Sequence, residues 1–311
     1  MRVLVTGGAG FVGSNVVVAA AARDDEVVAT ARELPPRPHP DCRYVHVDLL
    51  DEAATRAAVS EARPDAIAHT AILNDFLGLY ADRRLAWESY VGVTQTLADA
   101  ANACGAALLT VSTDWVFDGT QHGADETTPP NPINYYGVLK AASELVTLER
   151  ARDPVVLRVS GVMGLHQAGR EVPRVQDAGF GYFVSAVVDA LAAGSRFTVW
   201  ESDAINMVAA PSLASLSAEW MLGLAERGLR GTFHACAGDS VTRIELARET
   251  ARVFQLDDSL LDSGPPDPTA VPPAPIPFDT SMDARATGRA LDTELPSVRD
   301  LLERFRSERE G

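Results

Sequence analysis

Tyr136 and Lys140 stand four residues apart in Tyr136-Gly137-Val138-Leu139-Lys140. On a helix that step puts a phenol and an ammonium on one face, a turn apart. A phenol ordinarily ionises near about pH 10, so proton transfer through it near neutrality requires positive charge close by. Lys140 can supply that charge. Thr113, just past an apolar strand in Ser112-Thr113-Asp114-Trp115, adds a hydroxyl able to hydrogen-bond a carbonyl oxygen. Taken alone, a Tyr-x-x-x-Lys spacing is also an ordinary surface-helix pattern, so its meaning depends on what stands upstream.

Upstream stands Met1 to Gly13, an apolar run (Val3, Leu4, Val5) followed by Gly7, Gly8, Gly10 and Gly13. Both Gly8-x-Gly10-x-x-Gly13 and Thr6-Gly7-x-x-Gly10-x-x-Gly13 can be read there. Strand, glycine turn and helix start in that order are the context a dinucleotide site requires. Gly7 suits the tight turn, Gly10 the close approach of a pyrophosphate, and Gly13 the packing of helix on strand. The first-turn amides of the helix would face the phosphates. At the end of the second strand, where an acidic residue would bind the ribose hydroxyls of NAD, the chain has Ala31 and Arg32. Arg32 can pair with a 2′-phosphate, which favours NADP(H) over NAD(H).

These residues need a scaffold, and the hydrophobic pattern supplies one. Strands are expected at Val3–Val5, Glu26–Thr30, Arg43–Val47, Ala66–Thr70, Ala107–Val111 and Val155–Val159. Helices are expected to Ala22, over 52–62, across Tyr90, Val93, Leu97, Ala101 and Cys104 on one buried face, and over 134–150. This alternation indicates an α/β fold with a doubly wound parallel sheet and right-handed crossovers. The stretch from Ala71 to Arg84 reads as a loop rich in large apolar residues (Ile72, Leu73, Phe76, Leu77, Leu79, Tyr80) at a strand's carboxyl end. There it could wall a pocket or simply pack. Beyond Ser160 the alternation loosens into a long loop to Gly181, helices over 183–193, 211–227 and 243–254, short strands over 196–200 and 231–235, a proline-rich connection over 262–277, and two terminal helical pieces.

The 311 residues, with 46% hydrophobic content, suffice for one large α/β unit or two domains. A formal charge of −16 argues against binding a phosphate backbone, leaving nucleic acid out of the expected partners. Cys42, Cys104 and Cys236 are widely spaced and odd in number, without zinc-ligand spacing, so no metal site is expected and reduced thiols are. No apolar run reaches membrane-spanning length and the start runs directly into a strand, so a cytoplasmic protein without a membrane partner is expected.

Taken together, these residues resemble the extended short-chain dehydrogenase/reductase family, and within it the dTDP-4-dehydrorhamnose reductase branch. The matching pieces are Thr6 to Gly13, Asp48-Leu49, His69-Thr70-Ala71, Ser112 to Gly119, Pro130-Asn131-Pro132, Tyr136 to Lys140 and Gly231-Thr232-Phe233-His234. The resemblance implies a Rossmann fold and a catalytic triad of Thr113, Tyr136 and Lys140. Gly7, Gly10, Phe11, Val12, Gly13, Arg32, Asp48, Leu49, Thr70, Ala71, Tyr136 and Lys140 would form the cofactor site, with Asp48 near the adenine and Lys140 on the nicotinamide ribose. Asn74, Thr113, Asp114 and Trp115 would face the substrate. It also implies a smaller, discontinuous C-terminal substrate domain: 1–159 with about 204–237 would bind cofactor, and about 160–203 with 238–311 would close over the substrate.

Two departures from the family pattern stand out. Where members carry asparagine in the helix after the fourth strand, this chain has Tyr90; where they carry Arg-Pro before Leu-Asp, it has Pro272-Pro273 before Phe278-Asp279. Arg170 or Arg174 is the candidate to replace that arginine as a pyrophosphate clamp. The leading expectation is an NADP(H)-dependent reductase of a ketone, most simply a nucleotide-linked 4-keto-6-deoxysugar, with NAD(H) as the alternative cofactor and a homodimer left open. The competing readings are a sugar-nucleotide epimerase or dehydratase, a reductase of a small apolar ketone, and a catalytically silent cofactor-binding subunit that regulates an enzyme partner.

Overall fold

The computed structural model describes residues 1–73, 75–169 and 175–311. Seven parallel strands form the main sheet: β1 (Arg2–Thr6), β2 (Glu26–Ala31), β3 (Cys42–His46), β4 (Ala66–His69), β5 (Ala107–Thr113), β6 (Pro154–Val159) and, after two short strands outside it, β9 (Gly231–Ala235). Their order is β3-β2-β1-β4-β5-β6-β9. Strand order reverses between β1 and β4, the switch point where ligands bind in such sheets.

Side chains alternate across a strand, and β1 shows how this builds two layers. Val3 and Val5 join Val16 and Val17 of α1 (Phe11–Ala21) and Trp220 and Met221 of α8 (Ala214–Glu226) on one face. Leu4 points the other way, to Val59 of α2 (Glu52–Ala62) and Leu97 of α5 (Val93–Cys104). Burial on both faces explains why these strands read as continuous apolar runs.

Between β4 and α5 the chain is helical where a loop was expected. α3 (Phe76–Ala81) and α4 (Arg83–Trp87) are each started by an aspartate, Asp75 accepting from the Gly78 amide and Asp82 from the Leu85 amide. A π-helical turn, Glu88–Gly92, then leads into α5. Cys104, placed on the buried face by periodicity, is exposed at the helix end before the left-handed Gly105. α6 (Tyr135–Arg150) crosses to β6.

A second apolar cluster gathers Phe183 and Val187 of α7 (Phe183–Ala192), Val199 of β7 (Phe197–Trp200), Leu246 of α9 (Arg243–Val253), and Leu301 and Phe305 of α11 (Val298–Glu310). β8 (Val208–Ala209) pairs with β10 (Val241–Thr242) and β12 (Asp279–Thr280). β11 (Leu261–Gly264) pairs with β7, so the proline-rich connection begins as a strand. α10 (Arg285–Leu291) returns to the main sheet through Leu291. Among the described residues no helix is long and apolar enough to cross a membrane, and no cluster of three or more potential metal ligands occurs.

Candidate active site

The glycine turn sits at the switch point. Gly7 has φ +70°, and a Cβ there would lie 2.8 Å from the Ala71 backbone at the end of β4. A Cβ on Gly13 would collide with the Gly7 carbonyl oxygen and lie 2.5 Å from Thr70 Oγ1. The Thr70 hydroxyl donates to the Thr6 carbonyl at 2.6 Å, fastening β4 to β1 at this point. Gly10 caps α1 without any side-chain hydrogen bond, and the first turn holds no acidic residue. That helix start therefore offers amides and a positive dipole end to an anion. Phe11 packs against Tyr182 at 5.7 Å, and Asn15 donates to the Leu165 carbonyl at 2.9 Å, which brings the chain beyond β6 over the turn. At the far end Arg32 is exposed, Asp48 is exposed and accepts from the Leu50 amide at 3.1 Å, and Leu49 is half-buried.

The second group comes from β5 and α6. Thr113 is the last residue of β5 rather than lying beyond it. Its hydroxyl donates to Asp114 Oδ1 at 2.9 Å and accepts from the Trp115 amide at 3.3 Å. Asp114 is buried, and its other oxygen accepts from Ser160 at 2.7 Å. Burial pushes this carboxyl up, and hydrogen bonds from Thr280, Ser160 and Thr113 oppose the shift. α6 is capped by Asn134, whose Oδ1 accepts from the Gly137 amide at 2.9 Å and whose Nδ2 donates to the Pro275 carbonyl at 3.1 Å.

Lys140 is the only lysine in the chain; every other basic side chain of the Lys and Arg set is arginine. It is buried, and Nζ donates to the Val111 carbonyl at 2.9 Å. Burial lowers its pKa to about 8, against a raising effect of Glu144 one turn further along. Glu144 is itself buried in a bidentate pair with Arg158 of β6, at 2.7 and 2.8 Å. Tyr136 is pushed up to about 12, mainly by burial, and its hydrogen-bonding contact with the Thr113 hydroxyl acts in the opposite direction. At neutral pH it is therefore a phenol holding its proton one helical turn from an ammonium, the state an acid needs to protonate a reduced carbonyl oxygen. Behind the pair, His69 Nδ1 meets the Thr6 hydroxyl at 2.8 Å, and burial with the nearby Lys140 charge lowers its pKa to about 3.

The space beside Tyr136 is walled by rings. Trp115 stands edge-on to Tyr136 at 5.9 Å and to Phe76 at 6.0 Å. Phe76 and Trp115 pack with Ile205, Met207 and Ile276, bringing the connection after β11 against the site. Thr113, Tyr136, Lys140, Asp114 and Trp115 thus lie together, next to the Gly7, Thr70 and Ala71 junction. Asn74, Arg170 and Arg174 lie outside the described residues. Sequence reasoning gave no role to Tyr90 or Ser160 in this group, whereas Phe76 belongs to the apolar stretch that the sequence offered as a pocket wall. Tyr90 was visible as a departure from the family pattern, while Ser160 meets Asp114 across 46 residues, beyond any local signal.

With this geometry in hand, the family described as RmlD substrate binding domain matches residues 1–310. The chain belongs to that family. Relatives within reach of sequence comparison include the rat methionine adenosyltransferase 2 subunit beta, 28% identical over 265 residues, covering 84% of this chain and 74% of that one. A dTDP-4-keto-6-deoxy-D-glucose reductase of Streptomyces niveus is 27% identical over 270 residues, covering 86% and 83%. Among solved structures, a dTDP-4-dehydrorhamnose reductase of Bacillus anthracis in complex with NADP superposes with a TM-score of 0.81 at 22% identity, covering 99% of both chains. A Thermotoga maritima UDP-glucose 4-epimerase gives 0.80 at 20% identity, covering 100% and 99%. At these identities the structural matches establish the Rossmann-type fold that RmlD-family members share.

Proposed function

We propose that this RmlD-family protein is an NADP(H)-dependent reductase that converts a ketone to an alcohol, with a nucleotide-linked 4-keto-6-deoxysugar as substrate. The observation that carries this reading is Lys140: the sole lysine of the chain is buried, at a cost in solvation, one helical turn from Tyr136. The Streptomyces relative and the NADP-bound structural neighbour support the choice of cofactor and substrate class.

When bound, the cofactor supplies the hydride that attacks the carbonyl carbon. The α1 start with Gly7, Gly10, Phe11, Val12 and Gly13 would hold its pyrophosphate, Arg32 its 2′-phosphate, and Asp48 and Leu49 its adenine. Thr70, Ala71 and Lys140 would flank its nicotinamide end. Tyr136 protonates the substrate oxygen, Lys140 offsets the charge left on the phenolate, and Thr113 hydrogen-bonds the same oxygen. Residues 1–159 with 204–237 are read as the cofactor-binding part, and 160–203 with 238–311 as the part facing the substrate; two separate apolar clusters support a division of this kind, with Leu291 joining the first and Ala209, Leu213 and Ala237 the second.

Following NADPH oxidation against a panel of nucleotide ketosugars and simple ketones tests this reading. Turnover of a nucleotide ketosugar, inhibited by free nucleoside diphosphate, is expected; turnover of simple ketones alone would move the assignment to an apolar substrate. NADPH should bind about ten- to a hundredfold more tightly than NADH, with the difference lost in Arg32→Ala. A second reading, a cofactor-binding subunit without turnover, is favoured by the likeness to a methionine adenosyltransferase subunit. It predicts NADPH binding with no oxidation of NADPH by any ketone. An epimerase would act without net NADPH consumption.

A further inference from the structure

The π-helical turn Glu88–Gly92 packs against the proposed catalytic pair. A π-turn widens the helix by one residue and is frequent at functional sites. Here it carries Tyr90, whose ring is buried between two residues of α6. The Lys140 ammonium lies over the Tyr90 ring at 5.5 Å from its centroid. The Tyr136 ring meets the same ring edge-on, at 6.2 Å with an interplanar angle of 86°. The Tyr90 hydroxyl donates to the Leu73 carbonyl at 3.1 Å, tying the ring to the chain that leaves β4 beside the glycine turn. The Thr94 hydroxyl, 2.6 Å from the Tyr90 carbonyl, secures the turn itself.

We infer that Tyr90 is a positioning residue: its ring face holds the Lys140 ammonium in place and its contact with Tyr136 sets the phenol's orientation, in place of a polar side chain. An ammonium has three donors, and the Val111 carbonyl takes one of them. A desolvated ammonium gains most from a π face when water is excluded, which is the situation here. The other groups facing Lys140 do not substitute for the ring. Glu144 is shared with Arg158 and Ser112, His69 is neutral, and Tyr136 holds its proton. The inference rests on the reading of Lys140 as the active ammonium.

The test uses the protein's single lysine. Full-length protein labelled with carbon-13 at lysine Cε gives one side-chain signal, and its pH titration reports Lys140 directly, without cofactor or substrate. In the wild type the midpoint is expected near about 8. Tyr90→Phe, which keeps the ring and loses the tether to Leu73, should leave it in place. Tyr90→Leu should lower it by about one unit, because removing the π face disfavours the charged form. If Tyr90→Leu does not fold, pentafluorophenylalanine at position 90 keeps the ring shape, reverses its quadrupole and should give the same shift. In an active preparation the alkaline limb of kcat/KM should move with the titration, while KM changes little. A residue that only fills space would lower stability or turnover without moving the lysine signal. An unmoved midpoint in both Tyr90→Leu and the fluorinated protein would overturn the inference. Because the titration needs no turnover, it stands or falls separately from the reductase assignment.

Discussion

Lys140 destabilises the fold that contains it. Its pKa falls from 10.5 to about 8 on folding, so the unfolded chain binds more protons between those values. Stability therefore rises with pH from about 8 to 10.5, and below about 8 the full cost of burying the charge is present. Lys140→Met should stabilise the protein at pH 7 by about 1–3 kcal/mol in urea denaturation, while abolishing turnover. A variant less stable than the wild type would mean that the ammonium serves the fold. The gain in stability with loss of activity is what a residue kept for chemistry predicts. Tyr136 follows the opposite logic: burial keeps it protonated, and a positive charge brought beside it is what draws a phenol within reach of proton transfer.

At the scale of elements, the cofactor site depends on how closely α1 approaches the ends of β1 and β4. Gly13→Ala would drive a methyl group into the Gly7 carbonyl and the Thr70 hydroxyl that fastens the two strands. Such overpacking costs about 1–3 kcal/mol, and the turn can relieve it only by opening. NADPH affinity measured by fluorescence titration should fall about tenfold or more with the circular dichroism spectrum unchanged; wild-type affinity would show that the turn does not hold the phosphates. This element was legible in the sequence because strand, turn and helix start occupy thirteen consecutive residues and each glycine answers a local steric demand. α6 was legible for a similar reason, with Asn134 as cap and Tyr136 and Lys140 one turn apart. α3 and α4 were not. They have six and five residues, too few to display a helical period, and the signals that start them are the aspartates Asp75 and Asp82, which also suit loops. The end of β5 was placed short because Ser112 and Thr113 are polar; their hydroxyls are satisfied by Glu144 and Asp114, partners that only the folded chain provides.

The whole molecule joins its layers through buried polar groups that no local pattern foretells. His69 on β4 and His234 on β9 are both buried, and burial lowers each to a pKa of about 3. Between about pH 6.5 and 3 the unfolded chain takes up protons that the folded one does not, so stability falls as the pH falls through that window. Each histidine should cost about 1–2 kcal/mol by pH 5, read from urea denaturation at pH 7 and pH 5. In His234→Asn the loss between those two pH values should be smaller than that of the wild type by about 1–2 kcal/mol; an unchanged slope would remove His234 from the account. The same long-range assembly brings Thr113 from β5 and Tyr136 and Lys140 from α6 to the glycine turn at the sheet's switch point. Single-turnover reduction of a nucleotide-linked 4-keto-6-deoxysugar by enzyme saturated with NADPH tests that assembly most directly, comparing the wild type with Tyr136→Phe. The account predicts rapid oxidation of bound NADPH in the wild type and a rate about 10²-fold lower or worse in Tyr136→Phe, with NADPH affinity preserved. Equal rates in the two proteins, or no oxidation by the wild type, would contradict it.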